Sequence, residues 1–386
     1  MLLTIVIFVL VLSVLVFGHE FGHFFTARRF GVKAEEFGFG FPPRGIGIYK
    51  NKHGKWRFVF GNRSVESLET AEDSSLHPAP KSTVYSLNWL PLGGFVKIKG
   101  ENGEGENDKD SFAYQKIWKR IVILSAGVIM NVLLAWVLFS VGYMIGMPQS
   151  TDTIGKGAIV SEPKVMIATV MPNSPASAAG LKEGDAILRI NNEAVGSEKS
   201  LQDEVAKNDG VVTNLSVKRA DKEISISVTP AAKDGGRATM GVAIFAAGLV
   251  RYPFFPALIE GAKTTTWMIQ QIFVAFFNLF KDIFAGQKVG DQFAGPVGIA
   301  TITGQAARLG FSYLLQFTAL LSLNLAVINI LPLPALDGGR ILFLLIEKIK
   351  GKPVKREVEA VIHNIGFLLL IALILFITYR DIIKLF

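Results

Sequence analysis

The chain of 386 residues contains no cysteine. Disulfides and thiolate metal sites are therefore excluded, and any bound metal must sit on histidine, aspartate or glutamate. Histidine is itself scarce, with five in the whole chain. The net charge of +8 would suit a nucleic-acid binder. No basic stripe interleaves with stacking aromatics, however, and we read no nucleic acid as a partner. No Lys or Arg precedes the first apolar run, whereas Arg28, Arg29 and Lys33 follow it. That order reverses the one in a secretory signal peptide, so the run reads as a retained helix with its N-terminus outside.

Apolar residues are abundant. They make up half of the chain, at a mean hydropathy of +0.40, and they are clumped. A helix that crosses a bilayer needs about 20 of them. Four stretches qualify: about Leu2–Thr26, Ile117–Met147, Phe311–Leu331 and Val361–Phe386. Lys116, Lys119 and Arg120 open the second, while Arg340, Lys348, Lys350, Lys352, Lys355 and Arg356 lie between the last two. The positive-inside rule makes these clusters cytoplasmic. Four spans then put residues 148–310 and both termini outside. A fifth stretch, Pro253–Ala285, carries Ile269, Phe273, Phe276 and Phe280 on one side and Glu260, Lys263, Asn278 and Lys281 on the other. This is the pattern of an amphipathic helix lying in the interface.

Residues 148–245 are more polar, with short alternating runs and turn signals such as Asn173-Ser174-Pro175. They predict a small β-rich domain. Within it, "SPASAAGLKEGDAILRINNEAV" resembles the PDZ domains of bacterial proteases. PDZ domains take peptides by adding a strand to a sheet edge, so a peptide at this PDZ-like domain is an expected partner.

The chemistry is concentrated in "VFGHEFGHFF", Val16 to Phe25, where two histidines and a glutamate interrupt an apolar span. Polar groups at membrane depth are expensive and mark functional sites. On a helix His19 and His23 are one turn apart and share a face, the spacing at which two imidazoles take two corners of a tetrahedral Zn2+. Glu20 stands beside them as the catalytic acid and base. A third protein ligand is required. His53 and His77 lie in polar loop sequence, and His363 reads as a packed or capping residue of the last helix. Asp337 is the better choice. It follows Pro332 and Pro334, which end the third span and open the backbone beside a carboxylate. With four spans, His19 and Asp337 reach the same depth on the cytoplasmic side. With five they would lie on opposite sides.

"HEFGH" in the first span and "NILPLPALDG" in the third together resemble the site-2 protease family of intramembrane zinc proteases. Every fixed position of that family's Asn-x-x-Pro-x-Pro-x-Leu-Asp-Gly pattern is matched from Asn329 to Gly338. The resemblance implies His19, His23 and Asp337 as zinc ligands and Glu20 as catalytic base. It also implies Asn329 and Asn324 as substrate-binding residues. "EFGFGFP" is similar to a β-hairpin that dips into the membrane. "LPLGGFVKIKG" is similar to the edge strand after it, which makes Val96 and Ile98 substrate-binding positions. "SAGVIMN" resembles a second-span motif but has Val128 where proline is usual, putting a local kink in doubt; "GPVGI" (Gly295–Ile299) also looks familial.

The expected fold class is thus a polytopic α-helical membrane protein of four transmembrane helices, with an inserted β-rich PDZ-like domain and a membrane-associated β-hairpin and edge strand. The expected parts are residues 1–147 with the first two spans and the β-loop region, 157–233 as the PDZ-like domain, 251–285 as the interfacial helix, and 311–386 with the last two spans. The expected partners are the lipid bilayer and membrane-protein substrates, either single-span stubs or remnant signal peptides. The expected setting is a bacterial cytoplasmic membrane with the PDZ-like domain extracytoplasmic. The expected activity is intramembrane zinc endopeptidase on membrane-anchored regulators of the anti-sigma-factor type. A catalytically silent PDZ membrane scaffold is the alternative.

Overall fold

The computed structural model describes residues 2–51, 54–61, 82–150, 154, 157–219, 222–232, 238–286 and 294–383. His53 and His77 lie outside them. The chain runs α1 (Leu2–Arg29), β1 (Ala34–Lys50), β2 (Trp56–Phe60), β3 (Val84–Ile98) and α2 (Ile117–Ile145). A β-rich region follows: β4 (Met147–Ser150), β5 (Ile159–Val170), α3 (Pro175–Ala178), β6 (Ala186–Ile190), β7 (Glu193–Ala194), α4 (Glu198–Lys207), β8 (Thr213–Arg219), β9 (Lys222–Val228) and β10 (Val242–Arg251). The remainder is helical: α5 (Phe254–Phe284), α6 (Pro296–Leu309), α7 (Phe311–Ile330), α8 (Asp337–Lys350) and α9 (Arg356–Ile383). Two compact units result, one of Met1–Val137, Thr264–Ala307 and Phe317–Phe386, the other of Leu138–Lys263 and Arg308–Gln316.

Among the described residues four helices are long and apolar enough to cross a bilayer: α1, α2, α7 and α9. The amphipathic α5 is not one of them. In α1 the residues facing inward include Ser13, His19, Gly22 and His23, while Leu2, Leu3, Ile5, Val6 and Leu10 face outward. The polar stripe is the inner one, as expected where lipid rather than water is the solvent. Arg28 and Arg29 close the helix, where cations complement its dipole. α2 is helical throughout, Val128 included.

In the same unit, β1 to β3 form an antiparallel sheet in the order β2-β1-β3. β3 is an edge, paired to β1 with Val96 opposite Phe37 and Ile98 opposite Ala34. Glu36 and Arg44, both on β1, form a two-pronged ion pair that is largely shielded from solvent. The basic residues read as a loop between the last two spans are in part a helix. α8 begins at Asp337, packs Leu344 and Ile341 with Ala27, Ile98, Ile123 and Leu124, and ends at Gly351 in the left-handed region (φ +73°). Its amphipathic pattern is short, and the prolines before it masked its start. Arg120 pairs with Glu347 at 3.1 Å, Arg340 with Glu101 and Arg356 with Glu106. The basic clusters near α2, α8 and α9 thus gather at one end, around a cavity of about 640 Å³. At the other end, Asp381 of α9 accepts the Gly298 N–H in the first turn of α6 at 2.8 Å. A carboxylate there satisfies an orphan donor and the helix dipole. Gly304 of α6 abuts Thr4 of α1, where an added Cβ would lie 2.9 Å from Oγ1. α6, which opens with the "GPVGI" stretch, therefore ties the beginning of α1 to the end of α9.

The second unit contains a sheet in the order β4-β10-β5-β6-β8-β9, with β7 paired to β6. The sheet reaches past residues 157–233, since β10 pairs with both β5 and β4. β4 and β10 are nearly a hundred residues apart, and their pairing has no local signature. Val165, Ile167, Ile187, Leu215 and Val217 form the core with Leu201 of α4. Ser174 caps α3, and Ser197 with Ser200 forms a capping box at α4. The fully buried Asp185 takes two hydrogen bonds from Arg219, each 2.7 Å, and one from the Lys182 N–H at 3.0 Å. The polar exception in this apolar core is thereby satisfied.

Candidate metal centre and active site

Two elements of the first unit deliver three side chains to one point. His19 and His23 share a face of α1, and Asp337 opens α8. His19 Nε2 lies 3.1 Å from His23 Nε2 and 3.0 Å from Asp337 Oδ2, and His23 Nε2 is 3.4 Å from the same oxygen. Among the described residues, this is the group of three with atoms close enough to share a cation. A tetrahedron with arms of about 2.1 Å has edges of about 3.4 Å, so the three atoms approximate one face of a zinc site. Asp337 Oδ2 is buried yet has no partner in hydrogen-bonding geometry. An orphaned carboxylate oxygen beside two imidazole nitrogens is what a dication would satisfy.

The surroundings fit the same group. A Cβ on Gly127 of α2 would lie 2.7 Å from His19 Cε1 and crowd His23 Nε2 as well. Gly22 meets Ala126 in the same way, so two glycines let α1 and α2 approach at the depth of the imidazoles. His23 Nδ1 donates to the Ile123 carbonyl at 2.9 Å, which leaves Nε2 with its lone pair. His19 Nδ1 lies 3.3 Å from the Asn131 side-chain amide, whose oxygen is buried without a partner. An amide is nearly symmetric in shape. With its oxygen towards Nδ1, Asn131 accepts that proton and fixes the tautomer that ligates through Nε2. Asn131 is fully buried in an apolar span, and Ser322 donates to its carbonyl at 2.8 Å. Asn131 ends the "SAGVIMN" stretch, and its insertion cost in an apolar span is the signal that marks it in the sequence.

Other expected residues divide. Glu20 Oε2 accepts the Val96 N–H of the β3 edge at 3.1 Å. Glu20, His19, Asn329, Leu325 and Asp337 line a cavity of about 220 Å³. The Asn329 side-chain nitrogen lies 3.4 Å from His19 Nε2. Asn324 instead donates to the Leu320 carbonyl, one turn back on its own helix, and is not among the cavity's lining. The Ile98 side chain is buried in the cluster with Ala27 and Ile123. His363 accepts the Ala335 N–H at 2.9 Å.

Comparison with known proteins gives a consistent answer. The model of peptidase family M50 matches residues 7–61 and 76–373. The chain is 32% identical to the regulator of sigma-W protease RasP of Bacillus subtilis over 436 residues, covering 99% of each. It is 29% identical to the zinc metalloprotease RasP of Geobacillus kaustophilus, covering 99% of this chain and 98% of that one. Among solved structures, the PDZ domain of an SdrC-like protein from Listeria monocytogenes aligns at 23% identity and a TM-score of 0.21, over 22% of this chain and 92% of that one. With four helices fit to cross a membrane and a family match over most of its length, the chain belongs to peptidase family M50, the site-2 proteases, and is a zinc metalloprotease.

Proposed function

We propose that the chain cuts peptide bonds within or beside single transmembrane helices, with His19, His23 and Asp337 as zinc ligands and Glu20 as acid and base. The convergence of Asp337 with His19 across 318 positions of sequence, within 3.0 Å, carries this reading. Zinc, when bound, supplies a Lewis acid that polarises the scissile carbonyl and acidifies water. Glu20 takes the proton from the attacking water and returns it to the leaving amine. The Asn329 amide donates to the charge that develops on the carbonyl oxygen. Asn131 and the Ile123 carbonyl hold the two imidazoles in their ligating tautomers.

A helical substrate hides its carbonyls in its own hydrogen bonds, and must be unwound before attack. The β3 edge at Val96 supports addition of the substrate as an extended strand. The Val96 N–H is held by Glu20. A substrate carbonyl that takes over this donor frees the carboxylate for proton transfer, so strand addition and base release go together. The substrates are membrane-anchored regulators of the anti-sigma-factor type or remnant signal peptides, and the β-rich domain on the extracytoplasmic side admits stubs already trimmed outside. Purified chain and its Glu20→Gln variant, assayed for zinc and for cleavage of a single-span helix, test the proposal. Equal zinc with cleavage confined to the parent supports it. Near-parental cleavage by the variant refutes the role of Glu20.

A further inference from the structure

The segment that presents Asp337 is a weak point of the fold. Between α7 and α8 the chain runs through Leu331-Pro332-Leu333-Pro334-Ala335-Leu336, where two prolines remove backbone donors. Ala335, two residues before Asp337, has φ +71°, a left-handed conformation unfavourable for any residue with a Cβ. Such a conformation persists only where the surroundings impose it.

α9 supplies that constraint at two points one turn apart. His363 Nδ1 accepts the Ala335 N–H at 2.9 Å. Gly366 lets Pro334 lie directly on the helix, since an added Cβ there would come within 3.1 Å of the Pro334 carbonyl carbon. The His363 ring is itself held against Phe343 of α8, with centroids 5.5 Å apart. Because Nδ1 accepts, His363 is the neutral tautomer with its proton on Nε2. That nitrogen is buried without a hydrogen-bond partner, with Glu359 Oε1 4.0 Å away. The histidine is thus committed to the loop rather than to a neighbour on its own helix.

We propose that His363 is a positioning residue for the metal centre: by accepting the Ala335 N–H it holds the strained turn that aims Asp337 at His19 and His23. The last span is therefore a backing plate for the carboxylate ligand. This inference rests on Asp337 being a zinc ligand.

Zinc affinity of the purified full-length chain, measured by competition with a chromogenic chelator, tests it without reference to turnover. Loss of an outer partner of a metal ligand typically weakens affinity about 10–100-fold, and His363→Leu is expected to fall in that range. His363→Asn places an acceptor where Nδ1 stands and is expected to restore most of the affinity. His363→Gln places its amide near the Nε2 position and is expected to remain weak. A residue that merely fills space would make Leu and Gln as good as Asn. Parental affinity in His363→Leu, or equal affinities in the Asn and Gln variants, overturns the proposal. Should His363→Leu fail to accumulate, the contrast of Asn with Gln decides alone. Asp337→Ala measured in parallel separates the two levels: if it retains parental affinity, the ligand assignment fails. If it loses zinc while the His363 variants do not, only the present inference fails.

Discussion

The two compact units differ in where they keep their polar groups. In the β-rich unit the interior is Val165, Ile167, Ile187, Leu215 and Val217, and the buried carboxylate of Asp185 is fully engaged by Arg219 and the Lys182 N–H. In the helical unit the outward residues of α1 are Leu2, Leu3, Ile5, Val6 and Leu10, whereas the inward ones include Ser13, His19 and His23. The difference follows from the solvent. Water drives apolar side chains inward, while lipid gives them no reason to prefer either side and penalises polar ones. A polar residue inside the first unit is therefore under stronger constraint than an apolar one, and function gathers there.

The largest effects are expected at the polar interior. Asp337→Ala should lose both zinc and cleavage, checked by metal analysis and a peptide-bond assay, because it removes a ligand atom placed 3.0 Å from His19 Nε2. Glu20→Gln should keep zinc and lower cleavage by about 10²–10⁴-fold, the usual contribution of a positioned acid–base group. In the β-rich unit the sensitive position is apolar. Leu215 is fully buried, and Leu215→Ala should destabilise that domain by about 2–5 kcal/mol in thermal or proteolytic unfolding while leaving zinc content unchanged. The smallest effect belongs to the lipid-facing surface. Leu10 is 60% exposed, and Leu10→Ala should shift stability by no more than about 0.5 kcal/mol in a detergent-unfolding measurement. A large loss there would mean that this face is covered by protein.

Sidedness sharpens the same contrast. The chain lacks cysteine, so single cysteines report cleanly. Lys199→Cys on α4 should react with an impermeant thiol reagent on intact spheroplasts. Lys109→Cys and Lys352→Cys, both at exposed positions, should react only after permeabilisation. Ser111 nearby is fully buried and would not serve. Labelling of Lys352→Cys in intact cells would break the four-span arrangement.

What the sequence determined by itself was whatever is written in local spacing. Four apolar runs of spanning length, the i, i+4 histidines and an aspartate after two prolines can all be read within one helix or one turn. The edge position of β3 and the match of Asn329 came through resemblance. The tertiary structure decided what depends on residues far apart. Asn131 meets His19 from a position 112 residues away, Asp381 meets Gly298 from 83, and His363 meets Ala335 from 28. β10 was missed because its partner β4 is nearly a hundred residues away, and α8 because its amphipathic run is short. That the Ile98 side chain packs into the core was likewise settled by packing, since alternation along a strand does not say which face meets a helix. A ligand announces itself in sequence by being polar in an apolar run. The groups that hold it in place are identified only when the helices are packed, because a hydrogen bond is a statement about distance, and sequence records order.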